Sequence, residues 1–136
     1  MEYRFRGYDV MGRKGWVYGD LTHNKKVLKV KPYLIDRVMV GGYEVYPESV
    51  GMASGILDEY GREIFVGDIV RICDNRDGRF SESEVVFSRG IIGVLTCGLV
   101  TPLVFFYNIR DGIPVDNGDY TIFINGNVFE NSFNNK

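Results

Sequence analysis

Histidine is almost missing from this chain: His23 stands alone among 136 residues, and cysteine occurs only as Cys73 and Cys97, without C-x-x-C spacing. Three or four such ligands are needed to hold a zinc ion, so no zinc site is expected. The same scarcity thins out nucleophilic catalysis, because a serine or thiol needs a neighbouring base and no motif ties one to His23. The glycine-containing stretch GREIFVG lacks the Lys-Ser/Thr that would follow in a phosphate-cradling loop. No catalytic residue, cofactor or metal is expected. Nor does a charged segment followed by an apolar one open the chain, and the expectation is a reduced, cytoplasmic setting with two free, buried thiols.

Charge of one sign is also lacking overall, with a net value of −2 and a pI near 5.4, so no global basic field draws the chain to nucleic acid. Its distribution is uneven. Residues 1–40 hold nine Lys and Arg against four Asp and Glu, while residues 41–136 hold seven against fourteen. That asymmetry suits two solvated faces of opposite sign, or like molecules steered head to tail. One long stretch has no charge whatever: GIIGVLTCGLVTPLVFFYNI, residues 90–109, has the length of a membrane helix. Gly90, Gly93, Gly98 and Pro102 interrupt it and β-branched residues abound, so the reading is two buried strands, residues 91–95 and 103–107, and no membrane span.

What is plentiful is glycine, 17 residues, and aromatic side chains, nine Tyr and nine Phe with one Trp. Aromatics suit a half-buried pleated surface and glycine suits tight turns, so many short strands are expected. YRFRGYD alternates as a strand, MGRKG turns, and WVYGDL resumes. THNK, residues 22–25, reads as a turn into a strand over KVLKVKPYLI. GGYEVYPESVG reads as extended chain, with Pro47 at an edge or strand end. In GILDEYGREIFVGDIVRI, two corners (Asp58 to Gly61, then Gly67-Asp68) lie too close together for a helix between them. DNRDGRF is a loop, SEVVFS a strand, GIPVDNGDY another loop, YTIFI a strand, and NGNVFENSF an Asn-Gly corner with a closing segment. The predicted fold is mostly β, small curled sheets forming an SH3-like, partly open barrel with little helix. It is read as a single domain: N-terminal strands over 1–46, a sheet or barrel core over 47–130, and a polar tail over 131–136. Core candidates are Ile64, Phe65, Ile69, Val70, Ile72, Val85, Phe87, Ile122 and Phe123.

Four blocks, RFRGYD, KGWVYGDL, YPESVGMASGILDEYGREIFVGDIVRI and INGNVFENSF, resemble the YopX family of small proteins encoded by bacteriophages and prophages. The middle block carries the most specific pattern: Pro47-Glu48, Gly51, Gly55, a D-x-x-G turn ending at Gly61, and the corner Gly67-Asp68 in fixed order. Met52 and Ala53 stand where the family usually has a polar residue and an aromatic, and Ser132 where it usually has proline. The resemblance implies a mostly β, phage-associated cytoplasmic protein that self-associates, and it brings no catalytic residues.

Two constellations look site-like. In CDNRDGRFSESE, residues 73–84, Asn75, Asp77, Ser81 and Glu84 match positions of a calcium loop, but Cys73 stands where a hard carboxylate is required and both flanks read as strands. A hairpin loop is the plainer reading. Glu82 and Glu84 would share a strand face as solvated acids. HNKKVLKVK places Lys25, Lys26, Lys29 and Lys31 near Trp16 in sequence, a pattern that fits nucleic-acid binding or an edge strand protected by lysines. Expectation therefore centres on a non-enzymatic binding or assembly module that forms a homo-oligomer or meets a phage or host protein, with nucleic-acid binding through the basic N-terminal third as the alternative.

Overall fold

The structure, a computed structural model, describes residues 4–27 and 34–134. Of these, 61% lie in strands, and no sheet among them closes into a barrel. The chain divides into two compact units, Met1–Ala53 and Ser54–Lys136.

In the first unit, β1 (Phe5–Tyr8) pairs antiparallel with β2 (Trp16–Gly19) and, at Phe5 and Arg6, with the start of β6 (Gly51–Leu57). β3 (Leu21–Val27), β4 (Leu34–Val40) and β5 (Tyr43–Glu44) form a three-stranded sheet. Among the described residues its core holds buried Val17, Val40 and Val45, with Phe5, Leu21, Val38 and Val50 packed partly against them. The turn after β1 is organised by the buried Asp9, whose carboxylate accepts the Met11 and Lys14 backbone N–H groups at 3.0 and 3.3 Å. Aspartate suits that position because its short side chain satisfies turn amides directly.

In the second unit, β7 (Glu63–Phe65) pairs with β6, and a five-stranded sheet runs in the order β11 (Leu99–Pro102), β10 (Ile91–Thr96), β9 (Phe80–Ser88), β8 (Asp68–Asp74), β14 (Tyr120–Asn127). The sequence DIVRICD explains β8: Asp68, Val70 and Ile72 are buried and alternate with half-buried Ile69, Arg71 and Cys73. Opposite them lie Ser81 and Ser83 of β9 and Ile122 and Ile124 of β14. This face builds the larger core of Ile56, Ile64, Val70, Ile72, Val85, Val94, Leu103 and Ile122. A separate hairpin pairs β12 (Tyr107–Arg110) with β13 (Ile113–Asp116), and the one helix among the described residues, α1 (Val128–Asn134), is short.

Both corners of the middle block are held by buried aspartates. Asp58 accepts the backbone N–H groups of Tyr60, Arg62 and Ile124 at 2.9–3.0 Å and the Arg62 Nε–H at 3.1 Å. Glu59 donates its N–H to the Ile122 carbonyl, and Arg62 reaches the Ile124 carbonyl, so this turn covers the free edge of β14. At the second corner Asp68 accepts the Phe65 N–H at 2.8 Å. Gly67 has φ +99°, donates to the Val85 carbonyl and accepts from Val128. A side chain there would meet a backbone conformation that L-residues rarely adopt.

Several expectations are corrected. Residues 22–25 do not turn: they sit inside β3, paired residue for residue with β4, because polar side chains without glycine or proline do not break a ladder. Pro47 begins a 3-10 turn, Pro47–Ser49, a position where its missing N–H costs nothing. Residues 103–107 are not a strand. Leu103–Phe106 is a 3-10 turn, since Pro102 ends β11 and Leu103 drops into the core. The loop over 112–120 contains β13, closed on β12 by Asp111-Gly112 with φ +52° and +76°. Asn125-Gly126 makes a bulge inside β14, and α1 follows, capped by the Asn127 side chain accepting the Glu130 N–H. Cys97 is exposed and Cys73 half-buried; Cys97-Gly98 is the two-residue turn between β10 and β11, which carries the thiol to the surface. Phe87 is exposed, and Ile69 and Phe123 are half-buried. Residues 28–33, within the expected strand KVLKVKPYLI, and residues 135–136 of the tail lie outside the described residues.

Candidate binding surface

At one end of the second unit the core face of the five-stranded sheet stays open to solvent. Ile72 and Asp74 of β8, Ser81 of β9, Val94 and Thr96 of β10 and Tyr120 of β14 line a pocket of about 230 Å³, with Arg79, Phe80 and Phe106 completing it. The strand register produces this set: Tyr120 lies opposite Asp74, and Ser81 opposite Ile72. Phe106 arrives because Leu103–Phe106 coils instead of extending, and its ring meets Tyr120 edge to face at 5.1 Å.

The polar side of the pocket is already committed. Arg76 donates from Nε and Nη2 to the two Asp74 oxygens at 3.0 and 2.9 Å, and from Nη2 to the Tyr120 hydroxyl at 2.8 Å. Its guanidinium also sits 5.2 Å from the Tyr120 ring centroid. The hydrogen bonds from Arg76 hold the Asp74 carboxyl below the usual carboxylate range, and Asp74 raises Arg76 in turn. Both Asp74 oxygens are engaged by Arg76, and the rest of the pocket is walled mainly by Ile72, Val94, Phe106 and Tyr120.

Next to the pocket stands Phe105, 60% exposed, its ring 5.2 Å from Phe106 and 6.3 Å from Tyr120. It belongs to the uncharged segment over 90–109, which also exposes Ile91, Leu95, Leu99, Val104 and Ile109. On the opposite sheet face Arg71 pairs with Glu82 at 2.7 Å and lies over Phe80 at 4.6 Å and Phe123 at 5.9 Å; Phe123 in turn meets Tyr60.

Of the residues singled out in the sequence, Lys25 and Lys26 fall on β3, opposite Asp36 and Ile35, and Lys29 and Lys31 lie outside the described residues. Trp16 is half-buried on β2, with Tyr8 edge-on at 5.4 Å and the buried Arg6 guanidinium 4.5 Å from its ring, so one of its faces is already occupied. His23 is exposed on β3. The segment over 73–84 is a β8–β9 hairpin held by contacts within it and to the chain around the start of β14: Asp77 accepts from the Arg79 N–H, and Asn75 donates to the Gly118 carbonyl and the Thr121 hydroxyl. No group of three or more His, Cys, Asp or Glu among the described residues could hold a metal ion.

The motif residues are divided between the two units. Pro47 and Glu48 shape the 3-10 turn and Gly51 pairs with Arg6, all in the first unit. Gly55 donates to Glu63, Gly61 closes the Asp58 turn, and Gly67 and Asp68 form the next corner, all in the second. The pocket itself was missed. Its sequence-level signal was the adjacent pair Phe105 and Phe106 and the separate Tyr120, which only the fold brings together.

No family model matches the chain, and no curated protein does. The chain is similar to protein yopX from Bacillus subtilis. The crystal structure of that protein shares 15% identity with it, over 97% of each chain, with a TM-score of 0.49. No helix among the described residues is long and apolar enough to cross a membrane.

Proposed function

We propose that this protein is a non-enzymatic binding or assembly module that self-associates through the second unit, in the phage or prophage setting that its sequence motifs imply. The observation that carries this reading is the uncharged segment over 90–109, which leaves six large apolar side chains exposed. At roughly 100 Å² of exposed apolar surface each, they amount to about 600 Å², close to the ~800 Å² that each partner contributes to a standard interface. That much exposed apolar surface in one segment, shared among β10, β11, the 3-10 turn and β12, is more than scattered single side chains leave in water. Light scattering on the purified chain at low micromolar concentration tests it. A dimer or larger closed assembly is expected; a clean monomer mass removes the reading.

The uneven charge favours one second reading, nucleic-acid binding by the basic N-terminal third. It predicts retention on heparin or single-stranded DNA that weakens steeply with salt. A chain that passes through both unretained at low salt removes that reading.

A further inference from the structure

The pocket and the exposed phenylalanine beside it form a self-complementary pair. We propose that two copies of the chain join about a two-fold axis by seating Phe105 of each in the other's pocket, between Phe106, Thr96 and Tyr120. This inference rests on the self-association proposed above and names the contact that makes it.

Three observations support it. A closed two-fold interface uses the same patch on both partners, so projecting group and recess must lie side by side. Phe105 and the pocket do: its ring touches Phe106 and Tyr120, which are pocket walls, while 60% of the residue remains exposed. The recess is of a size and lining for an aromatic ring, about 230 Å³ with Ile72, Val94, Phe106 and Tyr120 around it. Ring edges meeting those walls would extend the edge-to-face arrangement already present between Phe106 and Tyr120. Finally, the exposed Leu99, opposite Thr96 in the β10–β11 hairpin, and the exposed Val104, next to Phe105, add uncharged apolar surface beside the recess for the partner to cover.

Charge separates this arrangement from head-to-tail pairing. Residues 54–136 hold seven Lys and Arg against twelve Asp and Glu, so two such units repel at long range. Salt screens that repulsion and should tighten the two-fold dimer. Pairing of a basic first unit with an acidic second unit would instead loosen with salt.

Two variants of the full chain test the contact. Phe105→Ser removes the projecting ring, and Thr96→Trp fills the recess from an exposed strand position. Each alone should raise the dimer dissociation constant at least tenfold by sedimentation or light scattering, with an unchanged far-UV spectrum. Should Thr96→Trp fail to fold, Thr96→Arg at the same position blocks the recess in its place. Mixing the two variants is the decisive step. A mixed pair keeps one intact contact, the ring of the Thr96→Trp chain in the open recess of the Phe105→Ser chain, and dimers should reappear on mixing. A wild-type dimer that neither variant weakens, or variants that mixing does not rescue, overturn this contact and leave self-association standing. A wild-type monomer overturns both.

Discussion

Among the described residues, the first unit, Met1–Ala53, packs around a cluster of three buried valines, whereas Ser54–Lys136 gathers a cluster of eight buried apolar side chains and still leaves many outside. Of the fifteen exposed large hydrophobics among the described residues, only Met11, Tyr18 and Tyr43 belong to the first unit. The first unit uses its polar residues to save space: Arg6 stacks on Trp16, Asp9 fills a turn, and Gly7 lets Val45 approach within 2.8 Å of where a Cβ would stand. The second has more apolar side chains than its sheet has interior to hold, and half of the surplus lies in the uncharged segment over 90–109. A unit with a small, polar-braced core can be finished in itself. A unit with twelve large apolar groups outside has surface left for a partner.

The largest expected effect that sharpens this contrast is at Asp58. Asp58→Ala strands three backbone N–H groups at the turn that covers β14, and it should cost about 3–5 kcal/mol of second-unit stability in urea titrations. A loss below about 1 kcal/mol would mean the turn is braced by Arg62 and Glu59 alone. Core truncation comes next. Ile64→Ala should destabilise by roughly 2–4 kcal/mol and Val40→Ala by about 2 kcal/mol. If the units unfold separately, each substitution moves only its own transition; a single transition shifted by both would break the comparison. Gly67→Val follows at about 1–3 kcal/mol, since φ +99° strains any side chain there. An unchanged melting temperature would sink that assignment.

A smaller effect is pH-dependent. Burial, with lesser contributions from the Asp116 and Asp58 charges, pushes the Tyr107 hydroxyl above its ordinary value, and it donates to the Leu57 carbonyl at 3.1 Å. The folded state thus holds this proton more tightly than the unfolded chain does. Its contribution is whole below the unfolded pKa of about 10 and is lost as pH rises above that value. Stability measured from pH 9 to 11 should fall more steeply in the wild type than in Tyr107→Phe; parallel curves would contradict it. The smallest effect concerns reactivity alone. Under native conditions a maleimide should label the exposed Cys97 well before Cys73, without lowering the melting temperature. Equal rates would show that β8 opens on the labelling timescale.

Much of this architecture was legible in residue order. Alternation in DIVRIC, the Asp58–Gly61 turn and the Gly67-Asp68 corner are local patterns, decided by side-chain period and by which residues tolerate positive φ. Asp111-Gly112 was equally legible as a hairpin turn, and reading its surroundings as loop passed over that signal. Other features depended on distant partners. That residues 22–25 continue a strand follows from their pairing with β4, and that residues 103–106 coil follows from where Leu103 finds its core. The candidate site belongs wholly to this second kind. Asp74, Thr96, Phe106 and Tyr120 have no spacing in common, and only the order β10-β9-β8-β14 sets them around one recess. By itself the sequence determined the strand-rich composition, the glycine corners and a stretch too apolar to leave in water. Tertiary structure alone decided which side of that stretch was buried, because a strand's two faces are chemically alike until a neighbour covers one of them.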